Sequence, residues 1–324
     1  MRRNSEMKHN ILFLGGAGFI GSNLIRSFCK QDEYESRIFV LEPSFANVSR
    51  LDGKNVAIYR GELSDIDFVQ SIIETNHIDT VVHLVATIIP GSTFEDYKRE
   101  YQHVIFPTIE LMQYCAQRDV KFVYFSSGGT IYGNRTDMTP FKETDPMAPI
   151  SYYGWSKQMM ENSILYVHRT TGLKYLIVRP SNPYGHGQNI HAKQGLIAVA
   201  MGKILAGEPI EVWGDGSNVR DYIYIDDLCD VFCQLLHKDV CNMTLNIGSG
   251  VGTSINQIIS VLKEIVKEDV QVKYLAARKV DVAHMILDTT HLCEYVDLQI
   301  TPLKDGIARF YNDVNKRVKN TLKE

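Results

Sequence analysis

The first half of the chain alternates short apolar runs with amphipathic segments. The runs Asn10 to Leu14, Ile38 to Leu41, Val56 to Arg60, Thr80 to Leu84, Phe122 to Phe125 and Lys174 to Val178 have the length and composition of buried strands. Between them, Gly21 to Lys30, Ile66 to Thr75, Phe106 to Gln117 and Tyr153 to Thr170 place apolar residues at helical spacing. This βαβ rhythm predicts an α/β fold, a doubly wound parallel sheet of six strands with helices on both faces. After Pro180 the texture changes to loops rich in Gly and Asn. A helix near Gly195 to Leu205, a short strand Ile210 to Trp213, the stretch VRDYIYIDDL and the strand-like TLNIGSG follow, then a helix Ile255 to Val266 with Thr253 or Ser254 as N-cap. The expected division is 1–180 for the sheet domain and 181–324 for a smaller mixed α/β C-terminal lobe, with segments of about 214–250 returning to the first. No Pro- and Ser-rich linker separates them, so the two are expected to share a cleft.

The 324 residues carry 34 Lys plus Arg against 38 Asp plus Glu, a formal net charge of −4, which offers no electrostatic footprint for nucleic acid or an anionic membrane. With 44% hydrophobic and 22% charged residues the chain can bury a core, which excludes disorder as its main state. No apolar stretch approaches the roughly 18 to 20 residues that cross a bilayer. The basic start precedes only Ile11 to Leu14 before glycines intervene, too short for a signal-peptide core. A cytoplasmic protein without membrane insertion is expected. Six cysteines form no C-x-x-C pair and have no histidines at zinc-finger spacing, so they read as reduced, packed thiols. His186 and His191 lack a supporting carboxylate or thiol and read as loop residues, with no metal site.

Ile11 to Leu14 runs into GGAGFIGS, which spaces Gly15, Gly18 and Gly21 at intervals of three where a strand turns into a helix. Missing Cβ atoms permit a tight turn and close backbone approach, and the helix N-terminus then faces a pyrophosphate. A glycine triplet alone also fits a structural turn. Glu42, closing the next apolar run, adds specificity: a carboxylate there binds the adenosine ribose hydroxyls and repels a 2′-phosphate, favouring NAD over NADP. The alternative for Glu42 is an ordinary solvated loop charge.

Tyr153 and Lys157 stand four residues apart at the head of a predicted helix, on one face. A free tyrosine has a pKa near 10. A neighbouring ammonium and a positive nicotinamide both favour phenolate, which makes Tyr153 a candidate base near neutral pH. Lys157 is also placed to hold the nicotinamide ribose. Y-x-x-x-K by itself is a common helix face; the dinucleotide loop upstream gives it meaning.

These residues together resemble the extended short-chain dehydrogenase/reductase superfamily, in its sugar-nucleotide epimerase/dehydratase branch. The resemblance covers nearly the whole chain and is carried by GGAGFIGS, LE at the second strand's end, GEL at 61–63, HLVA at 83–86, SSGGTIYG at 126–133, YYGWSK at 152–157, RPSNPYG at 179–185, GDGSNVRDYIYIDDL at 214–228, NIGSG at 246–250 and RKVD at 278–281. It implies a Rossmann-type NAD-binding domain in which Phe19, Ile20, Glu42, Glu62, Leu63, Val85, Ala86 and Ser181 line the cofactor site with Gly15, Gly18, Gly21, Tyr153 and Lys157. It further implies that Asn182, Arg220 and Arg278 hold a nucleotide diphosphate, with Gln194 and Asp281 on the loops that shape the substrate pocket. Arginine forks suit phosphate oxygens. Arg220 also reads as a salt-bridge partner for Asp221, Asp226 and Asp227. A homodimer through a four-helix bundle of the 106–117 and 153–170 helices is implied as well.

Three departures from the family pattern stand out. Gly128 takes the place of a serine or threonine that bonds the reacting sugar hydroxyl, which leaves Ser127, Thr130 or a water for that task. Glu62 replaces an aspartate near the adenine, and the stretch His103 to Thr108 lacks the usual asparagine. Dehydratases and decarboxylases of the branch carry carboxylates beside this serine segment; Gly128, Gly129 and Thr130 supply none. The expected reaction is therefore 4-epimerisation of a nucleotide-diphosphate hexose through a 4-keto sugar, with Tyr153, Lys157, Ser127 and Thr130 as the catalytic set. The alternatives are a 4-ketoreductase of a deoxysugar nucleotide and a non-catalytic NAD-sensing protein.

Overall fold

In the computed structural model, which describes residues 9–30, 36–135, 137–192, 194–266, 270–277 and 282–321, strands and helices alternate from the start. They are β1 (Asn10–Leu14), α1 (Phe19–Lys30), β2 (Arg37–Glu42), β3 (Val56–Arg60), α2 (Ile66–Thr75), β4 (Thr80–His83), α3 (Phe94–Glu100), α4 (Phe106–Gln117), β5 (Lys121–Phe125), a short α5 (Gly128–Ile131), α6 (Tyr152–Thr171) and β6 (Tyr175–Pro180). There follow β7 (Asn182–Tyr184), α7 (Leu196–Leu205), β8 (Ile210–Trp213), β9 (Val219–Tyr224), α8 (Ile225–His237), β10 (Met243–Ile247), β11 (Gly252–Ser254), α9 (Ile255–Val266), β12 (Val272–Leu275), β13 (His284–Met285) and α10 (Leu303–Thr321).

Seven strands, all parallel, form one sheet in the order β10-β6-β5-β4-β1-β2-β3. The order reverses between β1 and β4, and the crevice at the carboxyl ends of strands on either side of such a reversal is where doubly wound sheets take ligands. All six anticipated strands are present within a residue or two. The seventh, β10, comes from TLNIGSG and pairs with β6 from Met243↔Leu176 to Ile247↔Pro180.

Period-two alternation distributes the sheet between two cores. Ile11 and Phe13 pack with Leu24, Ile25, Phe28, Leu228 and Phe232 of α1 and α8, whereas Leu12 and Leu14 pack with Val69, Leu111 and Ile164 of α2, α4 and α6. A third core, of Ile197, Met201, Ile258, Leu262 and Phe310, belongs to α7, α9 and α10. There β7, β9, β11 and β13 make a small mixed sheet and β8 pairs with β12. Asp221, fully buried on β9, is its fastening point: the carboxylate accepts from Ser249 N–H and Oγ–H, Gly250 N–H and Leu287 N–H. The NIGSG turn wraps this group so closely that a Cβ on Gly248 would overlap it. Asn23 of α1 donates to the carbonyl of His186 at 2.8 Å, and Arg26 pairs with Asp226, tying the later chain to the sheet.

Four helices go beyond the sequence reading: α3, whose first turn has Thr93 and Asp96 as a reciprocal capping box, the short α5, α8, and α10. A single π turn, Tyr101–Ile105, joins α3 to α4. Among the described residues no helix is long and apolar enough to cross a membrane, and no group of three His, Cys, Asp or Glu side chains is placed to hold a metal.

His83, at the end of β4, is fully buried with Nε2 3.0 Å from Thr108 Oγ1. Burial, and then the charge of Lys157, bring its pKa down to about 3. Because the unfolded chain takes up a proton that the folded one refuses, stability is expected to fall as pH drops below the ordinary histidine range, by about 2 kcal/mol between pH 6.5 and 5. Urea unfolding at pH 7 and 5 measures this; His83→Gln should show a shallower fall, and parallel curves would assign the acid sensitivity elsewhere.

Candidate active site

The carboxyl ends of the parallel strands converge on one edge of the sheet, and the glycine loop after β1 occupies its middle. Gly15 sits at φ +80°, and a Cβ there would lie 3.3 Å from Val85 Cγ2. A Cβ on Gly21 would lie 2.7 Å from Gly16 Cα, so α1 begins in contact with the loop itself. Glu42 at the end of β2 is buried, and its Oε1 accepts from Ala17 N–H at 2.6 Å. Burial raises its pKa, opposed by that hydrogen bond and by Arg60. The reading of Glu42 as a solvated loop charge is thereby excluded.

The other expected cofactor residues share this edge. Phe19 and Ile20 open α1, Val85 and Ala86 follow β4, and Ser181 follows β6. Beyond β3, Leu63 is buried and Glu62 exposed. The hydroxyls of Ser126 and Ser181 are buried with no hydrogen-bond partner. A Cβ-free cradle, an acidic rim and buried unpartnered hydroxyls are what a dinucleotide needs from these residues, and the site fits one.

Ser151 caps α6, its Oγ accepting from Gly154 N–H at 3.1 Å, and thereby sets the first turn that carries Tyr153. Lys157, one turn on, is buried and donates from Nζ to the carbonyl of Phe125 at 2.9 Å, with the rings of Tyr124 and Tyr153 4.8 and 5.6 Å away. Burial pulls the ammonium down to about 8 against the opposing charges of Glu100 and Glu161. Tyr153 is pushed up to about 12 by burial; a hydrogen bond with Ser127 pulls the other way and Glu100 adds to the rise. The expectation that the neighbouring ammonium makes the phenol acidic is therefore not met by the protein alone. Desolvation outweighs it, and a buried carboxylate reinforces the desolvation.

Gly128, the first departure from the family pattern, has a packing cause. A Cβ there would lie 2.6 Å from Leu287 Cδ1 and 3.1 Å from the carbonyl oxygen of Arg179. Leu287 is fully buried, so the volume of a serine side chain is already filled. Ser127 remains bonded to the phenol, and Thr130, whose Oγ1 is buried without a partner, packs its carbonyl against Gly154 next to Tyr153. The stretch His103 to Thr108 is tied to β4 by the contact between His83 Nε2 and Thr108 Oγ1.

A Cβ on Gly129 would lie 3.5 Å from Asn182 Oδ1 and 3.8 Å from Ser127 Oγ, so Asn182 stands close to Ser127. It also lines a cavity of about 260 Å³ together with Gln188, Trp213, Arg220 and Tyr222. Arg220 donates to the carbonyls of Val219 and Ala283. The acids proposed as its alternative partners are engaged elsewhere: Asp221 by its four donors, Asp226 by Arg26, and Asp227 by Thr301. Gln194 is exposed and adjoins Gly195, which lines the cavity with Gln188 and turns the chain at φ +87° into α7. Arg278 and Asp281 lie outside the described residues.

Sequence reasoning missed a buried network behind the pair. Glu161, one turn beyond Lys157, takes Arg179 Nη2 at 2.6 Å; Arg179 Nη1 donates to Tyr132 Oη at 2.7 Å, and Tyr132 donates to Asn246 Oδ1 at 2.7 Å. It joins α6, the residue that caps the end of α5, β6 and β10, and only the folded sheet brings its members together.

The sequence profile of the NAD dependent epimerase/dehydratase family matches residues 11–248. A dTDP-4-dehydro-6-deoxyglucose reductase of Escherichia coli is 32% identical over 259 residues, which cover 79% of this chain and 81% of that protein. A UDP-glucose 4-epimerase of Halalkalibacterium halodurans is 28% identical over 295 residues, 85% of this chain and 86% of that protein. Among solved structures, the UDP-glucose 4-epimerase of Thermotoga maritima with UDP-glucose matches at a TM-score of 0.88 and 32% identity over 95% of this chain and 99% of that one.

Restoring a hydroxyl at position 128 should harm the protein. Gly128→Ser is expected to lose roughly 1–3 kcal/mol in chemical unfolding through overpacking against Leu287, and in a double-mutant cycle the same substitution should cost less in a Leu287→Ala background, where that space is cleared. A Gly128→Ser protein as stable as wild type would mean that Leu287 does not fill the position.

Proposed function

The chain belongs to the NAD-dependent epimerase/dehydratase family, and on that premise we propose that it interconverts the 4-epimers of a nucleotide-diphosphate hexose, a UDP-sugar of the glucose/galactose or N-acetylhexosamine type. The observation that carries the reading is the composition around the phenol. Tyr153, Lys157 and Ser127 meet there, while positions 128 and 129 are glycines with no carboxylate for an elimination. The similarity to the Thermotoga maritima enzyme over nearly the whole of both chains supports it.

Gly15, Gly18, Glu42, Ser181 and Lys157 would hold NAD, which when bound accepts and returns a hydride. Tyr153 removes the proton of the sugar's C4 hydroxyl and later gives one back. Lys157 stabilises the phenolate by its charge, and Ser127 hands the phenol its hydrogen bond. Thr130 offers its unpartnered hydroxyl to the sugar. Asn182 and Arg220 grip the nucleotide diphosphate in the cavity beside them, which places binding energy on the part of the substrate that does not react and leaves the 4-keto sugar able to turn its other face.

A second reading, reduction of a 4-keto deoxysugar nucleotide, is favoured by the similarity to the Escherichia coli reductase. It uses the same Tyr153 and Lys157 but consumes reduced cofactor. We also assign α4 and α6 to a homodimer contact, where Phe106, Trp155 and Tyr166 leave large apolar surfaces exposed; sedimentation at two protein concentrations tests it.

Proton NMR of the protein with UDP-glucose, UDP-N-acetylglucosamine, UDP-glucuronate and dTDP-glucose in separate tubes should show the anomeric signal of a C4-epimer in one of them, without net consumption of NADH. No new signal even after NAD is added would overturn the epimerase reading, and NADH oxidation with a 4-keto sugar would establish the second. In the responsive tube, Tyr153→Phe should lower turnover roughly 10²- to 10⁴-fold while retaining cofactor.

A further inference from the structure

Glu100 is a buried carboxylate that the reaction described above does not use. It closes α3 at the entry of the π turn, is 2% exposed, and its Oε2 accepts from both the N–H of Thr87, at 3.0 Å, and the Thr87 hydroxyl. Its hydrogen-bonding partner is thus an exposed threonine on the loop after β4, directly following the Val85–Ala86 segment on the cofactor edge, and not a cation. A π turn is a costly local geometry, often kept where it aims a side chain at a functional site. Here α3 and the π turn both pack on α6, the helix of Tyr153 and Lys157.

We propose that Glu100 is a positioning residue for the Tyr153–Lys157 pair: fastened by Thr87 beneath the cofactor loop, it supplies the counter-charge that keeps Lys157 an ammonium and opposes phenolate formation until a cationic nicotinamide is present. The inference rests on the reading of that pair as the catalytic one.

Glu161 also helps to keep Lys157 charged, but the other groups facing the pair do not supply a charge felt by both partners. Glu161, on α6 itself, is shared with Arg179. His83 of β4 is held neutral by burial and by Lys157 itself, Tyr124 of β5 has its phenol pushed far up by burial, and Ser127 contributes a hydrogen bond. Glu100 is the charge common to both partners, raising the pKa of each. Its sign has a functional sense. A negative group beside a phenol discourages deprotonation, and the positive ring of an oxidised nicotinamide cancels that effect, so base strength is coupled to occupancy of the cofactor site.

The test is an NMR titration of the purified protein labelled in lysine, with the Lys157 signal identified by its loss in Lys157→Arg. Wild-type Lys157 should titrate near 8. Glu100→Gln, which keeps the shape and removes the charge, should lower that midpoint by roughly half a pH unit or more. In an active preparation both limbs of the rate–pH profile should then move to lower pH together, whereas a merely structural defect lowers the rate and leaves the limbs in place. Should Glu100→Gln not fold, Thr87→Val, which loosens the carboxylate without removing it, is expected to move the midpoint in the same direction by less. An unchanged Lys157 midpoint in the variants that fold would overturn the proposal. Because the titration does not depend on turnover, it is separable from the assignment of the pair, which fails if Tyr153→Phe stays fully active.

Discussion

An ammonium ion without water around it has to be held by carbonyls and carboxylates, and Lys157 imposes this demand at the centre of the molecule. The end of β5 answers with the Phe125 carbonyl, the next turn of α6 with Glu161, and α3 with Glu100. Each answer has its own support. Glu161 stays in place because Arg179 reaches it from β6, and Arg179 in turn is held by Tyr132 and Asn246. Three strands and three helices are thus fixed relative to one another by the needs of one side chain. His83, within reach of the same charge, can remain in the sheet only as the neutral ring.

The sheet was legible because its signals are local. A parallel strand buried on both faces has to be a continuous apolar run, and the runs from Asn10 to Val178 are of that kind except the edge strand β3, which is largely exposed yet still apolar enough to be read. The elements that escaped were visible with the same tools but lay in mixed context. In α8, Ile225, Leu228, Phe232 and Leu235 keep helical spacing and are buried, yet the segment begins inside VRDYIYIDDL, whose first half is a strand. In α10, Ile307, Phe310 and Val314 make a narrow apolar stripe on an otherwise charged helix. The π turn has no sequence signature of its own.

For the site the division is sharper. Gly15 with Glu42 in the first strand–helix–strand unit, and Tyr153 with Lys157 at the head of α6, owe their places to short spacings, so the chain displays them openly. Leu287 filling the space above Gly128, Asp221 fastening the NIGSG turn, and Glu100 above α6 each join residues far apart in the chain. No spacing announces such contacts. Their effect is to reverse the sign of a local argument: the lysine that should make Tyr153 acidic stands beside it, but burial and a distant carboxylate act more strongly.

The placement of β10 bears on how such a molecule comes into being. Its partner β6 ends at Pro180, but β10 does not begin until Met243, after β7, α7, β8, β9 and α8. During synthesis the cofactor sheet therefore keeps a bare, apolar edge until nearly half of the C-terminal lobe has been made, and an uncovered edge invites pairing with another chain. The two halves cannot be inherited, excised or expressed as separate modules at Pro180. A fragment ending there would be an open sheet lacking its last strand, and the remainder would carry that strand with nothing to pair it.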